Sequence, residues 1–313
     1  VIALLVSILL PALAAARRVG RMSVCQTGMR QLATGFYAYG TDSKGWLASF
    51  SWQPNVAYSQ WSELNTGTTS TDAHCNQAAD IVRRMTGRMQ PRFDNRMVDR
   101  NFTHLVLADG GYFGGDRLPI GGVVCPEDRT SLVWQRTAPE DIESLPEFYR
   151  GDLSATPEFR QMQPYWSTYQ LIPAVWTSER PNEGISQSTN DYRLYNHYGD
   201  TRFVNKRVDD VVFPSQKVLF FDLFDRHKSK NTLFYAYPKA TQPLGFADGS
   251  VQIKKTADSN VGWNPLDPNN PLTYTIYSYS PKEPDDPPAQ SGTALGDVVK
   301  GYSTSNPTSI AQY

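Results

Sequence analysis

An α+β fold, a long N-terminal α-helix packed on an antiparallel β-sheet, is expected from three observations. Residues 1–16, VIALLVSILLPALAAA, are apolar apart from Ser7 and Pro11, and a helix that is apolar all round must be buried all round. After Arg17, Arg18 and Arg21, the residues Met22, Cys25, Met29, Leu32, Phe36 and Tyr39 recur at alternating spacings of three and four. That is the narrow stripe of a helix laid against one surface. Later, runs at 208–213 and 217–223 and the segments flanking Asp248-Gly249 have the composition of strands bounded by turns.

Taken in order, the first helix extends to about Tyr39 and is ended by Gly40-Thr41-Asp42 and Gly45. At about 1.5 Å per residue it spans roughly 58 Å, so about half of it must project from a domain of ordinary width. The organisation that follows is a helix over 1–42, whose first sixteen residues form a hydrophobic membrane or assembly segment, a globular head over 43–280 and an extended tail over 281–313. A Pro- and Glu-rich insertion enlarges the head around 137–184. The tail, PKEPDDPPAQSGT onward, has a composition unable to build its own core. Within the first helix Pro11 has no N–H to donate, and an interruption between Ile2 and Pro11 is expected.

In the head, Asp72 is placed to cap a helix whose apolar face is Ala78, Ile81, Val82 and Met85 and which Gly87 closes. Arg83, Arg84, Arg88, Arg92 and Arg96 read as a solvated face paired with Asp80, Asp94 and Asp99. The run 168–176 is the expected strand of the insertion. Asp248-Gly249 fits a two-residue type I′ hairpin turn pairing Phe246 with Val251 and Leu244 with Ile253. Asp248 is accordingly a turn residue without a partner base.

Composition narrows the function. A chain of 313 residues with net charge −1 and 19% charged residues offers nucleic acid no basic surface, so none is expected as a partner. No nucleophile–base–orienter set and no Gly-rich phosphate loop is evident, so no enzyme is expected. The Asp-x-x-Asp-x-His run of Asp222, Asp225 and His227 could ligate a metal, and equally reads as a strand end followed by a polar loop. Oxygen ligands are dense from Asp258 to Asn269, which makes Asp258 and Asp267 calcium candidates, although Asx turns beside Pro265, Pro268 and Pro271 account for the same residues. No other cofactor is expected. Three cysteines, Cys25, Cys75 and Cys125, suit one bridge, with three pairings open.

The run LLVSILLPALAAARR continued by VCQTGMRQLATGFYAYGTDSKGWL resembles the N-terminal helix of type IV pilin-like and type II secretion pseudopilin-like proteins. GGYFGGDRLPIGGVVCPED, FPSQKVLFFD, GFADGSVQ and DSNVGWNP are similar, in the same order, to segments of a bacterial prepilin-like group with large heads. The resemblance implies a structural subunit of a pilus-like or pseudopilus filament: a homo-oligomer with helical symmetry, handled by a prepilin peptidase and inner-membrane assembly machinery. It places the chain in the inner membrane first and in a surface filament afterwards. Val1, Ile2, Leu4, Leu5, Val6, Ile8, Leu9, Leu10, Pro11 and Leu13 would then form the filament core or membrane segment. The leader and the methylated first residue are expected upstream of Val1. The resemblance also favours a Cys25–Cys125 disulfide joining the helix stripe to the end of a strand, with Cys75 left over. From another class, a membrane-tethered binding module for carbohydrate would use aromatic surfaces around Trp52, Trp61 and Trp166.

Overall fold

Helix α1 runs from Ile2 to Asp42 and dominates the molecule. The computed structural model describes residues 2–93, 98–115, 118–150, 156–172, 175, 184–187, 195–198, 206–211, 214–215, 217–227, 233–234, 240–255, 274–279 and 290–295. Pro11 lies inside α1 without interrupting it, which corrects the break expected between Ile2 and Pro11. One missing N–H is a local defect, and the turns on both sides keep the helix regular.

The membrane segment is also corrected. The apolar run stops at Ala16, and sixteen helical residues rise about 24 Å against a hydrocarbon core of about 30 Å. Arg17, Arg18 and Arg21 follow at once. Among the described residues no helix is long and apolar enough to cross a membrane. In the chain, Val6, Leu9, Leu10 and Leu13 are 46%, 62%, 61% and 49% exposed, and Pro11 is exposed as well. Val1, and the side chains of Ile2, Leu4, Leu5 and Ile8, lie outside the described residues.

From Met22 onward the predicted stripe is the buried one. Met22, Cys25, Met29, Leu32 and Phe36 are all in the core, with Tyr39 packed at its edge. The stripe faces a four-stranded antiparallel sheet of order β1-β4-β7-β8, with β1 Tyr169–Leu171, β4 Val218–Asp222, β7 Thr241–Phe246 and β8 Val251–Lys255. The fold is therefore α+β, a long N-terminal helix on an antiparallel sheet. Phe36 meets Phe220 of β4 edge to face, with ring centroids 5.1 Å apart. Three further two-stranded pairs are formed by β2 Gly184–Gln187 with β3 Tyr195–Tyr198, β5 Phe224–Asp225 with β6 Leu233–Phe234, and β9 Tyr274–Tyr279 with β10 Gln290–Leu295.

Glycine lets α1 come close to its neighbours. A Cβ on Gly28 would stand 2.2 Å from the Gly122 carbonyl oxygen, and one on Gly35 would stand 3.1 Å from that of Tyr112. Gly28 needs glycine because backbone, not a yielding side chain, occupies the space, whereas at Gly35 a side chain would be a tight fit. The first of these approaches brings the 121–125 loop onto α1.

The hairpin between β7 and β8 is present with a register one residue from that expected. Gly245 pairs with Val251, Leu244 with Gln252 and Pro243 with Ile253. The loop has three residues, Ala247, Asp248 and Gly249: Phe246 N–H donates to the Ser250 carbonyl at 2.8 Å, and Gly249 has φ +80°. A type I turn completed by a left-handed glycine replaces the two-residue type I′ turn. Asp248 accepts from Ser250 N–H at 2.9 Å, as a turn residue should. The consequence is that Leu244 and Phe246 are buried while Ile253 is 37% exposed.

Helix α2, Ser70–Thr86, is capped by Thr69, with Asp72 completing a capping box from inside the first turn, and Gly87 ends it in the left-handed region. The arginines of α2 and of the segment after it are paired: Arg83 with Glu63, Arg84 with Asp80 and Asp109, Arg88 with Glu140, Arg92 with Asp72. Asp99 instead meets His74 at 2.8 Å, and Asp94 and Arg96 lie outside the described residues. The run 208–213 is not a strand where it is described; Val208–Asp210 is a 3-10 turn.

Two short helices, α3 Val98–Asn101 and α4 His104–Asp109, fill the space beside α2. His104 is 3% exposed and burial pushes its pKa from 6.5 down to about 3. A folded pKa below the unfolded one means that the unfolded chain takes the proton first. The stabilising contribution is complete above pH 6.5 and is lost as pH falls towards 3, at about 1.4 kcal/mol per pH unit. Asp222, raised to about 6 by burial, titrates in the opposite sense over part of this window. The test is therefore a difference: urea unfolding of wild type and His104→Gln at pH 7 and pH 4. Wild type should lose about 3 kcal/mol more than the variant; equal losses would show that His104 titrates normally.

Candidate metal centre

Three residues remote in sequence converge where α1, the 121–125 loop and the end of β5 meet. Cys25 comes from the buried stripe of α1, Cys125 ends the loop that Gly28 admits, and His227 follows β5. His227 Nε2 lies 3.0 Å from Cys25 Sγ and 3.1 Å from Cys125 Sγ. These three ligand atoms all fall within 4.8 Å of one another. The two thiols are fully buried and His227 is 4% exposed.

Neighbouring polar groups hold each ligand in place. Cys125 N–H donates to Thr168 Oγ1 at 3.2 Å, and Thr168 Oγ1 donates to Asp128 Oδ2 at 2.7 Å. Asp128 also begins α5, Arg129–Arg136, accepting from Ser131 N–H. Arg226, adjacent to His227, bridges Asp128 at 3.2 Å and Asp222 at 2.9 Å. This buried Asp128–Arg226–Asp222 network ties the His227 backbone to the loop that carries Cys125. Glu127 N–H points at Cys125 Sγ at 3.5 Å, and Glu127 carries the Arg21 ion pair at 2.9 Å, which links α1 to the same loop. Tyr169 is buried in β1, and burial, with Cys25 and Cys125 near it, pushes its phenol pKa well up.

The structure brings together Cys25 and Cys125, the pair expected to form a disulfide. In this structure both carry free thiols, and His227 Nε2 lies between the two sulfurs. Burial pushes the Cys125 thiol pKa well up, so without a cation it stays protonated. Cys75 is buried in α2, outside this cluster.

Of the Asp-x-x-Asp-x-His run, only His227 reaches the centre. Asp222 pairs with Arg226, and Asp225 accepts from Thr241 N–H at 3.0 Å. Asp258 and Asp267, the calcium candidates, lie outside the described residues. The three tryptophans have separate surroundings. Trp166 packs edge to face on Phe102 and Trp134, Trp61 lies under Arg83, and Trp52 stacks on Tyr58.

Two sulfurs and one imidazole nitrogen are a soft donor set. In a tetrahedral zinc site, bonds of about 2.3 Å to sulfur and 2.0–2.1 Å to nitrogen set S···N separations of about 3.6 Å. The observed separations are therefore within about half an ångström of those an ion would impose. His227 Nδ1 is buried without a hydrogen-bond partner among the described residues. With Nε2 facing the sulfurs, Nδ1 carries the ring proton once a cation is bound.

No protein-family model, curated protein or solved structure matches this chain. The pilin-like identification is contradicted by α1, since no described helix can cross a membrane. The filament function resting on a membrane-inserting helix, and the route from inner membrane to surface filament, are corrected with it.

Proposed function

We propose that this chain is a metal-holding structural protein in which Cys25, Cys125 and His227 bind one soft divalent cation, zinc before others. The observation that carries the reading is convergence: His227 lies 102 residues from Cys125 and 202 from Cys25, yet one ring nitrogen sits within 3.1 Å of both sulfurs. Thiolate and imidazole ligands select zinc over calcium or magnesium, which take oxygen. Three protein ligands leave one of zinc's four positions to another donor, and the burial of all three residues favours a structural role over one in contact with substrate. The ion would clamp the long helix to the loop and to the end of β5.

Cobalt titration of the full chain, purified under reducing conditions, tests this. One equivalent should saturate thiolate-to-cobalt charge-transfer absorption, and Cys125→Ser should abolish it while Cys75→Ser leaves it intact. Absorption unchanged in Cys125→Ser, or none in wild type, would exclude the centre.

A further inference from the structure

We infer that Thr168 is a positioning residue of this centre, its hydroxyl joining the backbone of Cys125 to the side-chain network beside His227; the inference rests on the metal-holding reading above. Thr168 is 3% exposed and immediately precedes β1. It meets the cysteine loop at two points: Thr168 N–H donates to the Val123 carbonyl at 3.0 Å, and Cys125 N–H donates to Thr168 Oγ1 at 3.2 Å. One hydrogen bond would let the loop pivot, whereas two fix the peptide planes before Cys125 and with them the direction of its Cα–Cβ bond. On the other side, Asp128 N–H donates to the Cys125 carbonyl at 2.9 Å. The Cys125 sulfur is thereby aimed from both flanks.

The hydroxyl also has a fixed polarity. Because Thr168 Oγ1 accepts from Cys125 N–H, its single proton goes to Asp128 Oδ2, 2.7 Å away. The same carboxylate oxygen takes Arg226 Nη2 at 3.2 Å, and Arg226 is the residue before His227. A continuous run of hydrogen bonds through Thr168 therefore leads from the amide of one ligand to the chain neighbour of another. A valine at this position would keep the shape, leave the Cys125 N–H without its acceptor and take one donor from Asp128. Both ligands would lose part of their orientation, and groups that orient ligands from outside the metal's own shell set affinity as well as geometry.

The test compares wild type with Thr168→Val, Thr168→Ser, Asp128→Asn and Ser167→Ala as full chains. Ser167 Oγ contacts the Val123 carbonyl at 3.1 Å and the Tyr169 backbone, so it holds the same loop from outside the run. Cobalt affinity and the energy of the thiolate-to-cobalt band are measured, with urea unfolding of the metal-free proteins as the control for packing. Thr168→Val should weaken cobalt binding by about 10-fold or more and shift the band, and Thr168→Ser should restore both. Asp128→Asn can still cap α5 but breaks the run at its far end, and it should move the band in the same way. That variant decides the matter if Thr168→Val does not fold. Ser167→Ala should keep wild-type affinity and band. Thr168→Val, or Asp128→Asn in its place, with wild-type affinity and band position overturns the inference and leaves the metal centre standing. Equal weakening by Ser167→Ala, or a serine variant no better than valine, overturns it as general loosening of the loop. If wild type shows no charge-transfer band, the metal-holding reading fails and the inference with it.

Discussion

Gly28→Ala should destabilise the protein by about 2–4 kcal/mol and release its metal, against the trend of helix propensity. In an exposed helix interior the same change is favourable by about 1 kcal/mol, because alanine restricts the unfolded chain and glycine does not. Gly20 is such a site, since a Cβ there meets nothing within 4 Å. At Gly28 the added carbon would lie 2.2 Å from the Gly122 carbonyl oxygen and 3.2 Å from the Tyr169 ring. The obstacle is backbone, and Gly122 itself sits at φ +88°, so the loop has little freedom to yield. Moving it away carries Cys125 off Cys25 and His227. Gly20→Ala should therefore raise the urea midpoint and leave cobalt binding alone, whereas Gly28→Ala should lower both. A neutral Gly28→Ala would mean that the helix and loop are not held in this close approach.

Stripping the metal should have an effect of similar size. A ligand present at a thousand times its dissociation constant stabilises the folded state by about 4 kcal/mol. Dialysis against a strong chelator should lower the melting temperature of the wild type by on the order of 10 °C, and one equivalent of zinc should restore it. His227→Ala should melt at the lower temperature with or without zinc. A wild type indifferent to both chelator and zinc would show that the three ligands contribute only as core residues.

The α+β class was legible because α1 announces itself twice, by a run of apolar residues and by a stripe at helical spacing. The stripe keeps its meaning in the fold, since Met22 to Phe36 can be buried by one surface. The first sixteen residues misled, because all-round apolarity argues for a surrounding medium without showing that the run is long enough to cross one. Asp248-Gly249 points to the hairpin without specifying its register. Asp-Gly suits both a two-residue I′ loop and the end of a three-residue loop, and only the Phe246–Ser250 pairing distinguishes them.

The centre was hidden for a different reason. Its ligands lie on three segments whose meeting depends on how closely α1 approaches the 121–125 loop. That approach is set by Gly28, a residue that reads locally as a helix weakness. His227 stands beside Asp222 and Asp225 in the sequence, but sequence neighbours on a turning chain need not share a site. A signal was available: a cysteine on the core-facing stripe of a helix, three residues before a glycine on the same face.

Native mass spectrometry of the full chain, prepared under reducing conditions and reconstituted with zinc, tests the central claim most directly. The expected mass is that of the polypeptide plus one zinc ion less two protons, shifting to the metal-free mass in Cys25→Ser, Cys125→Ser and His227→Ala. A wild-type mass lacking zinc, with two hydrogens lost to a Cys25–Cys125 disulfide or with none lost, would contradict it.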